Sequence, residues 1–253
     1  MDQTTQAPGI SDTMRSSGRI PVTSDSAEAR AHLERGRLAA FHYRFDRARP
    51  HLDAAIAADP DLALAYIYRG GSAGPGGMED RRRHFDRALA LRGRVSPGER
   101  ALIDAFRVFL LHHDDDHAIE IFRELTDAFP SDPYPPAHLG LRLHHVKERF
   151  DQAAEAFERV RDRDPAFAPA HVWLARALHR AGRTTEAEAA FAQSIRRFPH
   201  DVDCHIAIGE FYADQARLDE AGRHLQRAEQ LEPSSEEARE ALAATIRRRA
   251  REA

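Results

Sequence analysis

The sequence predicts an all-α solenoid built from repeated helix–turn–helix units. Small residues recur at intervals of 34 or 35 residues, and large apolar residues and prolines recur in step with them. The small residues are Gly36, Gly70, Ala105, Gly140, Ala175, Gly209 and Ala243. The large apolar residues are Leu52, Phe85, Phe122, Phe157, Phe191 and Leu225, and the prolines are Pro60, Pro130, Pro165, Pro199 and Pro233. A fixed period of this length is typical of stacked helical repeats.

Each period contains two amphipathic helices separated by a turn. In the unit that begins near residue 168, apolar residues recur at three- and four-residue spacing on both sides of a turn at 181–183. The small residue of the first helix allows a close approach to the second helix. The proline ends the second helix, because it cannot donate the hydrogen bond that a helix interior requires. One unit cannot bury its apolar face alone, so we expect neighbouring units to stack.

The units 168–201 and 202–235 resemble the tetratricopeptide repeat. Each has the small residue, an aromatic residue or leucine three positions later, and then the alanine, the large apolar residue and the proline of that pattern. The resemblance covers about residues 27–253. It implies a right-handed superhelix whose first helices line a concave face, and a role in binding other proteins. The chain also resembles a bacterial type of these repeats that has no assigned function, so this resemblance adds no catalytic activity.

The expected organisation is a short tail followed by one repeat array. The tail, residues 1–25, is expected to be disordered or strap-like, and the array is expected to occupy residues 26–253. The expected units are about 27–61, 62–95, 98–132, 133–167, 168–201 and 202–235, with a capping helix at 235–253. The unit 62–95 is degenerate, because the glycines and proline of Gly70–Gly77 cannot continue a helix. We expect a flexible loop or a hinge there.

Three pairs of residues have the spacing of a capping box, in which a side chain at the start of a helix and a glutamate three residues later satisfy each other's backbone N–H groups. These pairs are Asp25 with Glu28, Ser96 with Glu99, and Ser234 with Glu237. Each predicts the first turn of a helix.

Composition excludes several classes of protein. The single cysteine, Cys204, cannot form an internal disulfide framework or a cysteine-based zinc site. No apolar run approaches the ~20 residues that cross a bilayer, and no basic start precedes an apolar stretch. A formal net charge of -4 does not favour nucleic acid. We therefore expect a soluble cytoplasmic protein with no cofactor and with neither a membrane nor a nucleic acid as partner.

The resemblance also indicates which residues face the groove, namely those one, four and five positions after the small residue. The candidate partner-binding residues in this register are Phe41, Phe106, Phe109, Leu141, His144, His145, Arg176, His179 and Arg180. An apolar surface beside arginines would suit a protein or peptide segment that has an apolar anchor next to acidic groups. The alternative is that the phenylalanines fill the gap left by the degenerate unit and belong to the core.

One familiar mode of peptide binding is not expected. Tetratricopeptide domains that clamp a peptide's terminal carboxylate use asparagines and lysines, but this sequence has no asparagine and only one lysine, Lys147. Arginine can replace lysine as the carboxylate ligand but cannot replace the neutral amide.

The fifteen histidines suggest an alternative function. His112, His113 and His117 are weak candidates for a metal site, which would require a helix to place His113 and His117 on one face. The three aspartates between them instead favour an exposed turn that caps the next helix. His144, His145 and His179 are a second possible metal-binding or pH-responsive set. We expect a non-catalytic interaction scaffold, with a metal- or small-ligand-binding, possibly enzymatic, repeat protein as the alternative.

Overall fold

The computed structural model describes residues 18–73 and 77–252. These residues form thirteen α-helices and no strand, as predicted for an all-α solenoid. The chain divides into two compact units, Met1–Arg142 and Leu143–Ala253. None of the described helices is long and apolar enough to span a bilayer.

The first unit contains six complete helices and most of a seventh. They are α1 (Ala27–Phe41), α2 (Phe45–Ala58), α3 (Ala63–Gly71), α4 (Gly77–Leu91), α5 (Pro97–Leu111), α6 (Asp115–Ala128) and the first part of α7 (Tyr134–His145). Helices α1 and α2, α3 and α4, and α5 and α6 pack as pairs. The glycine-rich segment interrupts the second pair as predicted, because α3 ends after nine residues. Residues 74–76 of that segment lie outside the described residues.

The second unit contains the end of α7 and six further helices. They are α8 (Phe150–Arg163), α9 (Ala168–Arg180), α10 (Thr184–Arg197), α11 (Val202–Asp214), α12 (Leu218–Leu231) and α13 (Glu236–Glu252). The last helix packs on α12 and α11. Ile206, Ala228 and Ala238 join these three helices in one apolar cluster.

The small residues of the period are required by close helix contacts. A Cβ atom on Gly36 would lie 2.6 Å from Cγ of Leu52, and a Cβ atom on Gly209 would lie 2.6 Å from Cγ of Leu225. Both distances are too short for carbon atoms that are not bonded to each other. The large apolar residue of the second helix therefore occupies the space that a side chain on the first helix would need.

The capping predictions are confirmed at one helix and wrong by one residue at two others. Ser96 and Glu99 form both hydrogen bonds of a capping box at the start of α5. Helix α1 is capped by Ser26 rather than Asp25, because the Ser26 hydroxyl accepts from the N–H of Ala29 at 3.1 Å. In α13 the Ser235 hydroxyl, rather than that of Ser234, accepts from the N–H of Ala238 at 3.2 Å.

The described part of the tail is a strap that lies against the start of α5. The N–H of Thr23 donates to Glu99 Oε1 at 3.0 Å, and the Ser96 hydroxyl donates to the carbonyl oxygen of Pro21 at 2.9 Å. The N–H of Ile20 donates to Asp132 Oδ2 at 3.0 Å, and the Ile20 side chain is buried. We refer to residues 18–24 as the strap. Residues 1–17 of the predicted tail lie outside the described residues.

The turns inside the repeats share a left-handed residue. Positive φ angles occur at Tyr43, His113, Glu148, Gly182 and Ala216, at intervals of one or two periods. Only Gly182 in this set is a residue type for which this backbone conformation carries no steric cost.

We expect Gly182→Ala to lower the free energy of unfolding by about 1 kcal/mol, because alanine is strained at the φ of 77° found there. Gly222→Ala is the matched control, since Gly222 lies inside α12 and an added Cβ would meet nothing within 4 Å. The control should raise the free energy of unfolding by roughly 0.5–1 kcal/mol. Urea unfolding followed by circular dichroism measures both changes. Changes of the same sign in the two variants would contradict the interpretation.

Candidate functional site

The second unit contains an open pocket of about 240 Å³. It is lined by the end of α7 and by α9, α10 and α11. Five of the predicted groove residues lie in its wall, namely His144, His145, Arg176, His179 and Arg180. They come together because α9 and α11 are the first helices of consecutive repeats, so equivalent positions in the period lie side by side.

The pocket has arginines on one side. Arg176 is paired with Glu210, with 2.9 Å between Nη2 and Oε2, and its guanidinium lies 5.1 Å from the centre of the Trp173 ring. The guanidinium of Arg180 lies 4.8 Å from the centre of the Phe150 ring. Within the described residues Arg180 has no acidic partner. One arginine is therefore neutralised, and the other is available to an anionic group.

His144 is a buried polar side chain with no partner in the described residues. It is 8% exposed, and neither Nδ1 nor Nε2 makes a hydrogen bond. Burial, with help from the nearby His145, Arg180 and Arg176, lowers the pKa of His144 to about 4. The ring is therefore neutral at pH 7, with one nitrogen as donor and the other as acceptor. A buried polar group without a partner costs free energy, which a bound group could recover.

Two acidic residues of α11, Glu210 and Asp214, also line the pocket. Nε2 of His179 lies 3.4 Å from Oδ2 of Asp214, and its Nδ1 has no partner within the described chain. Desolvation raises the pKa of Glu210, although the charge of Arg176 opposes this shift. Both acidic residues follow the same register as the predicted groove residues.

Sequence reasoning missed the aromatic floor of the pocket. The rings of Trp173 and Phe211 are buried there, and the Trp173 ring packs edge-on against those of His144 and His145, with centres 5.5 and 5.0 Å apart. Trp173 lies two residues before Ala175, which is not one of the groove positions that the register indicates. No pattern in the sequence separated it from the core.

Most of the predicted groove residues of the first unit are buried. Phe41, Phe106 and Leu141 are 2, 4 and 8% exposed. The rings of Phe41 and Phe106 pack against the His138 ring, with centres 4.7 and 4.8 Å apart. Phe109 is half-buried under the guanidinium of Arg142, which lies 4.5 Å from the ring centre. This burial favours the alternative that the phenylalanines belong to the core.

A buried arginine joins the same core. Arg37 is 3% exposed, and its guanidinium lies 3.3 Å from the centre of the Tyr134 ring and 5.0 Å from that of Tyr68. Its Nη1 lies 3.1 Å from Glu34 Oε1, and the Tyr134 hydroxyl donates to the other oxygen of Glu34 at 2.6 Å. The hydroxyl of Tyr68 is hydrogen bonded to Nε2 of His138 at 2.8 Å. The guanidinium of Arg37 and the two tyrosine rings therefore stabilise each other in a site that is shielded from solvent.

The metal hypothesis for His112, His113 and His117 does not match the local structure. Helix α5 ends before His112, and His113 has a φ of 55°, so His113 lies in the turn while His117 lies in the first turn of α6. The side chain of Asp114 caps α6 by accepting from the N–H of His117 at 3.1 Å. The capping alternative is therefore confirmed, and the one-helix geometry that a shared metal ion required is absent.

Comparison with known families agrees with the helical architecture. Two models of the tetratricopeptide repeat family match residues 146–202 and 178–245. Residues 146–245 therefore contain tetratricopeptide repeats. No curated protein matches the sequence.

Several solved structures share this fold. A chain of the human IFIT1 dimer with PPP-AAAA is 19% identical, with a TM-score of 0.66 over 89% of this chain and 56% of that chain. PilW, a widely conserved type IV pilus biogenesis factor, is 16% identical, with a TM-score of 0.54 over 86% of this chain and 99% of that chain. A chain of the APC/C hetero-tetramer Cut9-Hcn1 is 19% identical, with a TM-score of 0.53 over 87% of this chain and 43% of that chain. This chain therefore spans less than half of the Cut9-Hcn1 chain, and these likenesses concern the fold alone.

Proposed function

We propose that this protein is a non-catalytic interaction scaffold that holds a segment of a partner protein in the pocket of its second unit. Tetratricopeptide repeats are protein-interaction modules, and stacked repeats present extended binding surfaces. The observation that carries the proposal is the state of His144, a buried ring with two unpartnered nitrogens beside an arginine that has no acidic partner.

A carboxylate of the partner fits this side of the pocket. The planar guanidinium of Arg180 can donate two parallel hydrogen bonds to a carboxylate. The neutral ring of His144 can donate one more, so that a single acidic group could bind both residues. Because Arg176 is already paired with Glu210, we assign it to holding the pocket wall rather than to direct contact with the partner.

The apolar anchor expected from the sequence is not part of this proposal. Phe41, Phe106 and Leu141, which were expected to receive it, are buried within the first unit. The apolar surface near Arg180 consists instead of the aromatic floor around Trp173.

Arg180→Glu is expected to weaken binding of acidic peptides at least about tenfold, because it replaces an attraction between the exposed guanidinium and a carboxylate by a repulsion between like charges. Short peptides would be selected from a random displayed library on the immobilised full chain. Their affinities would then be measured by fluorescence titration. Trp173 is the only tryptophan in the chain and lies in the pocket wall, so its emission reports on this site.

Arg196→Glu is the matched control, since it makes the same charge change at an exposed arginine of α10. This control should select the same peptides as the wild-type chain, enriched in aspartate and glutamate. If Arg180→Glu binds those peptides as tightly as the wild-type chain does, the pocket is not the partner site. The alternative function, metal or small-ligand binding, has no support from the segment 112–117.

A further inference from the structure

Two histidines face each other between α11 and α12, outside the pocket. Nδ1 of His205 lies 3.3 Å from Nδ1 of His224. The His205 ring is buried, and the His224 ring is half-buried. Such a short distance between two imidazole nitrogens requires that at least one of them carries no proton.

The hydrogen bond on the far side of His205 determines its tautomer. Nε2 of His205 lies 3.2 Å from the carbonyl oxygen of Pro199, which can only accept, so Nε2 carries the proton. Nδ1 of the neutral ring therefore presents its lone pair to His224. Metal-binding histidines typically have this arrangement, in which one nitrogen donates to a carbonyl oxygen and the other is directed at the ion.

Both rings are in the protonation state that a metal ion needs. Burial lowers the pKa of His205, and burial together with His205 lowers the pKa of His224 to about 4. Neutral imidazoles bind a metal without first losing a proton to solvent. Without an ion, Nδ1–H of His224 donates to His205. With an ion bound, that proton would move to Nε2 of His224, so the ring stays neutral and frees a lone pair.

The distance between the two Nδ1 atoms suits one shared metal ion. Two nitrogen ligands that bind a tetrahedral zinc ion are about 3.3 Å apart, because each lies about 2.05 Å from the metal. The charges of Arg223 and Arg227 oppose a cation at this position, whereas that of Asp201 favours it. Water would complete the coordination. We therefore expect weaker binding than in a closed site with four protein ligands.

The equivalent positions of other repeats can be compared with the pair of His205 and His224. His171 occupies the position of His205 in the preceding unit and also donates from Nε2 to a carbonyl oxygen, that of Pro165, at 3.1 Å. The position equivalent to His224 is Ala190 in that unit, so no pair forms. A second pair does form in the first unit, where Nδ1 of His32 lies 3.2 Å from Nδ1 of His51. The carbonyl bond is thus shared by two consecutive units, and the second histidine is the addition in the later one.

We propose that His205 and His224 bind one divalent transition-metal ion of the class that prefers imidazole, such as Zn²⁺ or Cu²⁺, through their Nδ1 atoms. The proposal is independent of the partner pocket. Mg²⁺ should not bind, because it prefers oxygen ligands.

The test uses Zn²⁺ and the untagged full chain. Histidine modification by diethyl pyrocarbonate, read for each residue by mass spectrometry, should slow at His224 when Zn²⁺ is added and should not slow with Mg²⁺. The exposed His200 serves as the control for general metal effects. Equal modification of His224 with and without Zn²⁺, or equal protection of His200, would overturn the proposal.

Calorimetric titration of Zn²⁺ into variants gives a second measurement. His224→Ala and His224→Gln should each weaken one zinc site at least about tenfold, whereas His171→Ala should leave it unchanged. The protection experiment uses the wild-type chain, so the proposal stays testable if a variant does not fold. Unchanged zinc affinity in a folded His224 variant would also overturn it.

Discussion

Arg37→Ala is expected to lower the free energy of unfolding by roughly 3 kcal/mol. The substitution removes a guanidinium that lies against the rings of Tyr134 and Tyr68, and a desolvated cation–π contact contributes about 2 kcal/mol or more. It also leaves a cavity in the core, which adds to the loss. Urea unfolding followed by far-ultraviolet circular dichroism measures the change.

Two further variants separate charge from packing at this position. Nε of Arg37 has no hydrogen-bond partner in the described chain, so part of the cost of burying the charge is uncompensated. Arg37→Met keeps most of the volume and removes that cost, and it should therefore destabilise the chain less than Arg37→Ala does. Arg35→Ala, at an exposed arginine of the same helix, should change stability by less than about 0.5 kcal/mol. Equal losses for the alanine and methionine variants at position 37 would show that charge dominates and would contradict this account.

Glu99→Ala is expected to release the strap and to lower the free energy of unfolding by roughly 2–4 kcal/mol. The side chain is 0% exposed, and its carboxylate accepts from the N–H and hydroxyl of Thr23 and from the N–H of Ser96 at 3.2 Å. Hydrogen bonds to a charged group contribute about 1.5–3 kcal/mol each. The variant therefore loses both the attachment of the strap and the capping box of α5.

Hydrogen exchange identifies where the loss occurs. Backbone amides of residues 20–24 should exchange much faster in Glu99→Ala than in the wild-type chain, and Glu99→Gln should be intermediate because its amide oxygen still accepts. Glu28→Ala is the control, since Glu28 is an exposed glutamate in the first turn of α1. This substitution should lower the free energy of unfolding by less than about 1 kcal/mol. Unchanged exchange in the strap of Glu99→Ala would show that other contacts hold it.

The local features were predictable because they depend on residues close together in the chain. The Ser96–Glu99 capping box spans one helical turn, and its spacing alone identified it. The shift from Asp25 to Ser26 at α1 was not predictable, because both side chains can cap a helix and adjacent positions differ only in backbone angles. The turn at His113 was one of two open alternatives until the backbone conformation showed that α5 ends before it.

The candidate site was predictable only in part. The groove positions counted from the small residue of each repeat put Arg176, His179 and Arg180 on one face. In the structure these three residues line one pocket of the second unit. The same register indicated Phe41 and Phe106, yet both are buried. The reason lies in neighbouring helices of the first unit, where the Tyr134 ring packs against Phe41 and the Tyr68 ring packs against Phe106.

The sequence by itself determined the all-α repeat architecture, the close contact of Gly36 with Leu52, and the residues that share a helix face. These features follow from the periodicity of the sequence, because the spacing of two residues along a helix determines whether their side chains point to the same face. Only the tertiary structure decided which of those faces stay open, that Arg37 is enclosed, and that His205 meets His224. Such outcomes depend on the volumes and positions of side chains from other helices, which no single helix pattern contains.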